Sequence, residues 1–109
     1  MGHHRERLQE EIKRTLSEGL ELEARDPRLG FVTITRVRLS ADLHQATVFL
    51  DFLEAEQSQQ LLQLFQEERG FFRSELAKRL DLRYTPELQF RQDEELRQAQ
   101  RIDELLKGD

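Results

Sequence analysis

No cysteine occurs anywhere in the chain, so disulfides and thiol chemistry are excluded, and a reducing compartment is compatible. No stretch approaches the roughly 18 consecutive apolar residues of a membrane span, and the N-terminus lacks an apolar run of signal-peptide type. These absences predict a cytoplasmic protein without a membrane partner. The four serines, Ser17, Ser40, Ser58 and Ser74, sit in no nucleophile-elbow motif, and no phosphate-binding glycine loop is present. Carboxylates are numerous but spaced as surface groups, so no acid/base couple stands out. His3 and His4 are adjacent but lack further ligands at metal-binding spacing. The expectation is a non-enzymatic protein with no cofactor, no metal and no small-molecule substrate.

What the chain does carry is charge, and the charge is segregated. The net value is −5, which taken alone argues against nucleic-acid binding. Residues 39–68 hold six acids and no base, whereas residues 69–91 hold six cations against three acids. An acidic and a basic face can therefore coexist on one molecule. The cations of the second segment are Arg69, Arg73, Lys78, Arg79, Arg83 and Arg91. The plainer reading of these charges is a solvated surface supported by i, i+4 pairs such as Glu75 with Arg79. Arg73 borders the apolar stripe of its helix, so an internal ion pair and a surface contact are both open to it; Lys78 falls on the opposite side.

At 109 residues the chain is long enough for one domain with one small core, burying about 65% of its unfolded surface. Leu8, Ile12, Leu16, Leu20 and Ala24 recur every four positions and predict a first amphipathic helix over residues 5–24. Asp26-Pro27-Arg28 ends it, and Gly30 completes a turn. Val32 to Ser40 reads as a strand whose alternation changes phase. A β-bulge near Thr35-Arg36 would bring Val32, Ile34, Val37 and Leu39 to one face. A polar turn through Asp42 and His44 leads to a second strand with Ala46, Val48, Leu50 and Phe52 inward, making a hairpin.

A helix from about Gln57 meets Gly70, where a kink is expected. It continues through Phe72, Leu76 and Leu80 and stops at Tyr84-Thr85-Pro86. Leu88 and Phe90 alternate with polar neighbours as a third strand. Asp93 caps a last helix with Leu96, Ala99, Ile102, Leu105 and Leu106 as its stripe. The fold class is α+β, with helices on one face of a three-stranded sheet. The order is α-β-β-α-kink-α-β over a core of about residues 5–91, with a C-terminal helical extension over about 93–107.

Four stretches in order carry a family likeness. They are Asp26-Pro27-Arg28-Leu29-Gly30; Val32-Thr33-Ile34-Thr35 leading to Val37 and Ser40-Ala41-Asp42-Leu43; Ala46-Thr47-Val48; and Gly70-Phe71-Phe72-Arg73 through Leu82-Arg83-Tyr84-Thr85-Pro86-Glu87-Leu88-Gln89-Phe90. Together they resemble bacterial ribosome-binding factor A over roughly residues 5–106. The resemblance implies a type II KH-like domain without the Gly-x-x-Gly loop of ordinary KH modules, a loop this sequence also lacks. The family uses a kinked helix pair with an Ala-x-Gly signature. Here the kink reads Glu68-Arg69-Gly70, so the glycine matches and the alanine does not. The family's Ser and Gly positions after Asp93 appear as Glu95 and Ala99.

The resemblance further implies an assembly factor, acting as a monomer, that binds the immature small (30S) ribosomal subunit and its 16S rRNA. Such a factor assists late maturation, including 5′-end rRNA processing, and supports growth in the cold. The expected RNA-contacting residues are Arg69, Arg73, Lys78, Arg79, Arg83 and Arg91, with Gly70 at the helix kink; guanidinium groups suit phosphate as planar bidentate forks. The alternative is a protein-interaction module acting through the acidic hairpin side, Asp51 to Glu68, without RNA contact.

Overall fold

A proline, a bulge and a buried apolar stripe set the path of the chain in the computed structural model, which describes residues 3–23 and 27–107. The elements are α1 (His3–Glu23), β1 (Val32–Leu39), β2 (Gln45–Phe52), α2 (Ser58–Glu67), α3 (Arg69–Arg79), β3 (Glu87–Gln92) and α4 (Glu94–Lys107). Short 3-10 turns at Pro27–Phe31 and Ala55–Gln57 lead into β1 and α2. Ala24, the last position of the predicted stripe, and Asp26, the predicted turn residue, lie outside the described residues.

β1 and β2 pair antiparallel, β2 and β3 parallel, giving strand order β1-β2-β3. The register of β1 slips between Ile34 and Arg36. That slip is the expected bulge, and it places Val32, Ile34, Val37 and Leu39 together in the core. α1, α2 and α3 cover one face of the sheet, with Ile12, Leu16 and Leu20 of α1 buried against it. Phe65, Phe72 and Phe90 meet at its centre with ring centroids 5.3–5.4 Å apart. Each buried phenyl contributes about 1.5–3 kcal/mol by leaving water, and each ring contact about 0.5–1.5 kcal/mol more.

Both sheet edges are partly closed by a glutamine from a helix. Gln9 of α1 accepts the Leu39 amide of β1 at 2.9 Å, and Gln66 of α2 donates to the Phe90 carbonyl of β3 at 3.0 Å. Such closure blunts edge strands that would otherwise pair with other chains.

The break between α2 and α3 falls at Glu68, not at Gly70. The Glu68 amide closes α2 on the Leu64 carbonyl at 2.9 Å, while its own carbonyl accepts the Phe71 and Phe72 amides at 3.0 and 3.3 Å. On a straight helix, positions 61, 65, 68, 72 and 76 would share one face, because their spacing follows the helical period. Leu61, Phe65, Phe72 and Leu76 are buried there, and a straight rod would bury the Glu68 carboxylate with them. Breaking the helix at that position leaves Glu68 exposed. Gly70 stands in the first turn of α3, and a Cβ built on it would meet nothing within 4 Å. The glycine is therefore not what bends the chain.

α3 also ends earlier than the proline alone requires. Leu80 already has extended backbone (φ −119°, ψ 135°), and residues 80–86 form the connection to β3. A proline bounds the helix from beyond but does not draw it up to itself. α4 begins as expected, with the Asp93 carboxylate accepting the Leu96 amide at 3.1 Å. Its stripe, however, is not packed: Ile102, Leu105 and Leu106 are 58%, 74% and 81% exposed. Amphipathic spacing identifies a face and says nothing of what covers it.

Candidate nucleic-acid interface

The six predicted cations do not form one patch. Arg69 opens α3 and is exposed, with no ion pair to a described carboxylate. Arg73, one turn on, donates to the Thr85 carbonyl at 3.0 Å and lies 3.6 Å from the Glu87 carboxylate. It pins α3 to the start of β3 while its side chain stays 47% exposed. Arg83, in the α3–β3 connection, lies 5.5 Å over the Tyr84 ring, which in turn meets the His44 ring at 4.8 Å.

Lys78 and Arg79 are organised by a carboxylate that sequence reading treated as a surface group. Glu75 is buried to 1% exposure where α3 crosses α1. Arg79 donates to it through Nε at 2.9 Å, Lys78 Nζ stands 3.6 Å away, and Arg79 also reaches Glu18 of α1 at 4.0 Å. A buried carboxylate is tolerated only when paired and hydrogen-bonded. The Glu75–Arg79 i, i+4 pair is thus real, but it holds an interhelical contact. Gly19 of α1 lies opposite, where a Cβ would stand in van der Waals contact with the Glu75 Cγ, at 3.4 Å.

Arg91 lies on the other side of the sheet. Leu88 and Phe90 point into the core, so Arg91 faces the side that carries no packed helix. Arg36 and Arg91 both stand opposite Phe49, one on each neighbouring strand, and Arg38 stands opposite Thr47. The Arg36 guanidinium lies 4.0 Å above the Phe49 ring and that of Arg38 5.6 Å, which accounts for the burial of a phenylalanine on an otherwise polar face. Arg36 and Arg38 were missed because they belong to a segment of near-zero net charge. The signal that could have found them is the bulge, which turns both away from the core once Val37 and Leu39 face inward.

The bulge has a second consequence. Thr35, the extra residue, donates its hydroxyl to Asp93 at 2.5 Å and places Arg36 Nε 3.4 Å from the same carboxylate. Burial would raise the Asp93 pKa above its ordinary 3.8, but the bonds from Thr35, the Leu96 amide and Arg36 outweigh it and hold the value lower. At the hairpin turn, Asp42 accepts from the Ser40 hydroxyl at 2.6 Å and the His44 amide at 3.0 Å, bonds that hold its pKa below the ordinary value. The next residue, Leu43, adopts φ 67°, a left-handed conformation unusual for leucine. Its side chain packs against the core, which offsets the strain. Among the described residues no group of three or more His, Cys, Asp or Glu side chains could hold a metal ion, and no helix is long and apolar enough to cross a membrane.

The sequence model of ribosome-binding factor A matches residues 4–106. The chain belongs to the ribosome-binding factor A family. A family member from Natranaerobius thermophilus is 46% identical over 107 residues, spanning 97% of this chain and 82% of the relative. The crystal structure of ribosome-binding factor A from Thermus thermophilus superposes with a TM-score of 0.72 at 28% identity, covering 81% of this chain and 94% of the other. A homology model of Thermus thermophilus ribosome-binding factor A, fitted into a cryo-EM map of a 30S complex, has a TM-score of 0.64 at 30% identity, covering 78% of this chain and 90% of the other. The α+β architecture, with helices on one side of three strands, is the one the family resemblance implied.

Proposed function

We propose that this protein is a non-enzymatic assembly factor that binds the immature small ribosomal subunit. It contacts 16S rRNA, acts as a monomer in the cytoplasm and assists late maturation, including 5′-end processing and growth in the cold. The observation that carries this reading is the likeness to a family member fitted into a 30S complex, across 78% of the chain. The helical unit offers the chemistry that RNA contact requires. Arg69 and Arg83 project from opposite ends of α3 and its following loop with no described carboxylate partner, and Arg73 and Lys78 keep exposed charge beside theirs. Between them, Gly70, Ser74 and Ala77 give α3 a low outer surface, over which a phosphate backbone can approach closely.

The test is sedimentation of the tagged protein with ribosomal particles from its host, combined with salt titration. Co-migration with free small subunits, and little with translating ribosomes, is expected; co-migration mainly with polysomes would sink the reading. Replacing Arg69 and Arg83 together by glutamine should flatten the log–log salt dependence of binding by roughly 1 to 2 units, about 0.7 to 0.9 per lost phosphate contact. An affinity that does not change with salt would point instead to an apolar protein contact.

A further inference from the structure

The face of the sheet opposite α1, α2 and α3 is a strip three strands wide, with the first turn of α4 reaching it through Glu95. At about 4.8 Å between strands it measures about 10 Å across, and its eight-residue strands run for about 26 Å. Its centre is Phe49, roofed by the Arg36 and Arg38 guanidiniums. Around that centre stand Arg38, Thr47, Gln89 and Arg91, all on one face by the strand register; Asp51 and Glu87 lie on the same face towards its two ends, Glu87 being 3.6 Å from Arg73. Arg36 is held by Asp93 at 3.4 Å and Glu95 at 3.5 Å, so its charge is neutralised within the molecule. Arg38 and Arg91 are exposed and make no ion pair with any described carboxylate. Two uncompensated guanidiniums, one on each outer strand, flank a polar row of threonine hydroxyl and glutamine amide.

We infer that this face is a second RNA surface, distinct from the α3 side. It takes one single strand, with backbone phosphates on Arg38 and Arg91. Charge selects the occupant: two guanidinium forks at the middle of the face, neither paired with a described carboxylate, match a polyanion. Width selects a single strand, since a strip about 10 Å across accommodates one backbone. Thr47 and Gln89 between the arginines supply donors and acceptors for ribose hydroxyls and base edges. The Phe49 ring is covered, so contact runs through the arginines and not through stacking on the phenyl. A cleft of about 380 Å³ at the β3 edge, lined by Thr47 and Gln89 together with Gln66 and Arg69, joins this face to the start of α3. The domain then holds two stretches of RNA on opposite sides of one sheet, or leads one strand around its edge. The inference deepens the proposed function but does not need the ribosome for its test.

The test has two arms. In the first, a 12-nucleotide uridine RNA is titrated by fluorescence anisotropy at several salt concentrations. Wild type is compared with Arg38→Gln/Arg91→Gln and with the charge-matched control Arg5→Gln/Arg7→Gln. The sheet-face variant should flatten the log–log slope by about 1.4, corresponding to two single-strand phosphates, while the control leaves it unchanged. Equal slopes for the two variants, or no binding by wild type at low salt, overturn the inference. In the second arm the same proteins are sedimented with immature subunits. Loss of oligonucleotide binding in the variant, with no subunit association even by wild type, keeps the surface and removes the assembly role. Subunit association with unchanged oligonucleotide binding by the sheet-face variant does the reverse. Unchanged melting of Arg38→Gln/Arg91→Gln by circular dichroism separates lost contacts from lost fold.

Discussion

On the helix-covered side of the sheet, Lys78 and Arg79 converge on the buried carboxylate of Glu75. On the open side, Arg38 and Arg91 meet no carboxylate among the described residues. The local sequence suggests the opposite, since α3 lies in the cation-rich segment and β1 in a nearly neutral one. The difference teaches that charge counted along a chain is not charge available to a partner. Glu75, buried on a helix, draws on Lys78 and Arg79, its i, i+3 and i, i+4 neighbours, whereas buried Asp93 draws on Arg36 from a distant strand. Strand alternation sends every second residue away from the core, and of the arginines it turns outward Arg38 and Arg91 stay exposed while Arg36 is taken up by Asp93 and Glu95.

The largest effect that sharpens this contrast comes from the aromatic at the centre of each face. Phe72→Ala should destabilise the protein by about 3–5 kcal/mol, as it empties a fully buried site between Phe65 and Phe90. Phe49→Ala should cost about 2 kcal/mol or less, since the ring lies on the face opposite α1–α3 and the exposed Arg38 side chain above it can settle into the space. Denaturant melts of both variants check the order. Equal losses would mean that the open face is as tightly packed as the covered one.

Next comes the carboxylate that ties up the helical cations. Glu75→Gln should cost about 1.5–3 kcal/mol, the range for hydrogen bonds to charged groups. It should also steepen the salt dependence of subunit binding by about 0.7 as a released cation reaches phosphate. Urea melts and a salt titration read the two effects separately. A slope that stays put while stability falls would show that Lys78 and Arg79 face no RNA.

The corresponding carboxylate on the open side, Asp93, should matter less for the whole fold and more for α4. Asp93→Ala removes an N-cap, worth about 1 kcal/mol, and should fray the start of α4. Because its folded pKa lies below the ordinary 3.8, Asp93 contributes stability above the unfolded value, and that contribution is lost as pH falls through the lower folded value. Amide exchange in α4 should therefore accelerate on acidification in wild type and show no such step at Asp93→Asn. The smallest effect belongs to Gly70→Ala. The added methyl meets open space, so stability should rise by about 0.5–1 kcal/mol. A drop in melting temperature would return the kink to Gly70.

Much of the architecture was legible in the sequence because it rests on short-range rules. The hairpin, its bulge at Thr35, the inward set of β2 and the Asp93 cap each follow from a local period or a capping side chain. The position of the helix break was less legible. A glycine is a visible irregularity, whereas a glutamate inside an apolar phase becomes decisive only when the face on which Phe65 and Phe72 lie is known. The candidate interface was legible in its residue types and not in its grouping. Arg69 and Arg83 stand where the cation-rich segment suggested, Arg91 turns to the opposite face, and Arg36 and Arg38 join it there.

The sequence by itself determined the element order, the inward faces of α1, β1, β2 and β3, and the presence of a cation-rich helical segment, because helical and strand periods are properties of neighbours in the chain. Only the tertiary structure decided which of those cations are spoken for. Burial of Glu75 depends on α1 passing over α3 at Gly19, and the company of Arg91 depends on β3 lying beside β2 rather than beside β1. Both are contacts between residues far apart in the chain, where no local period reaches.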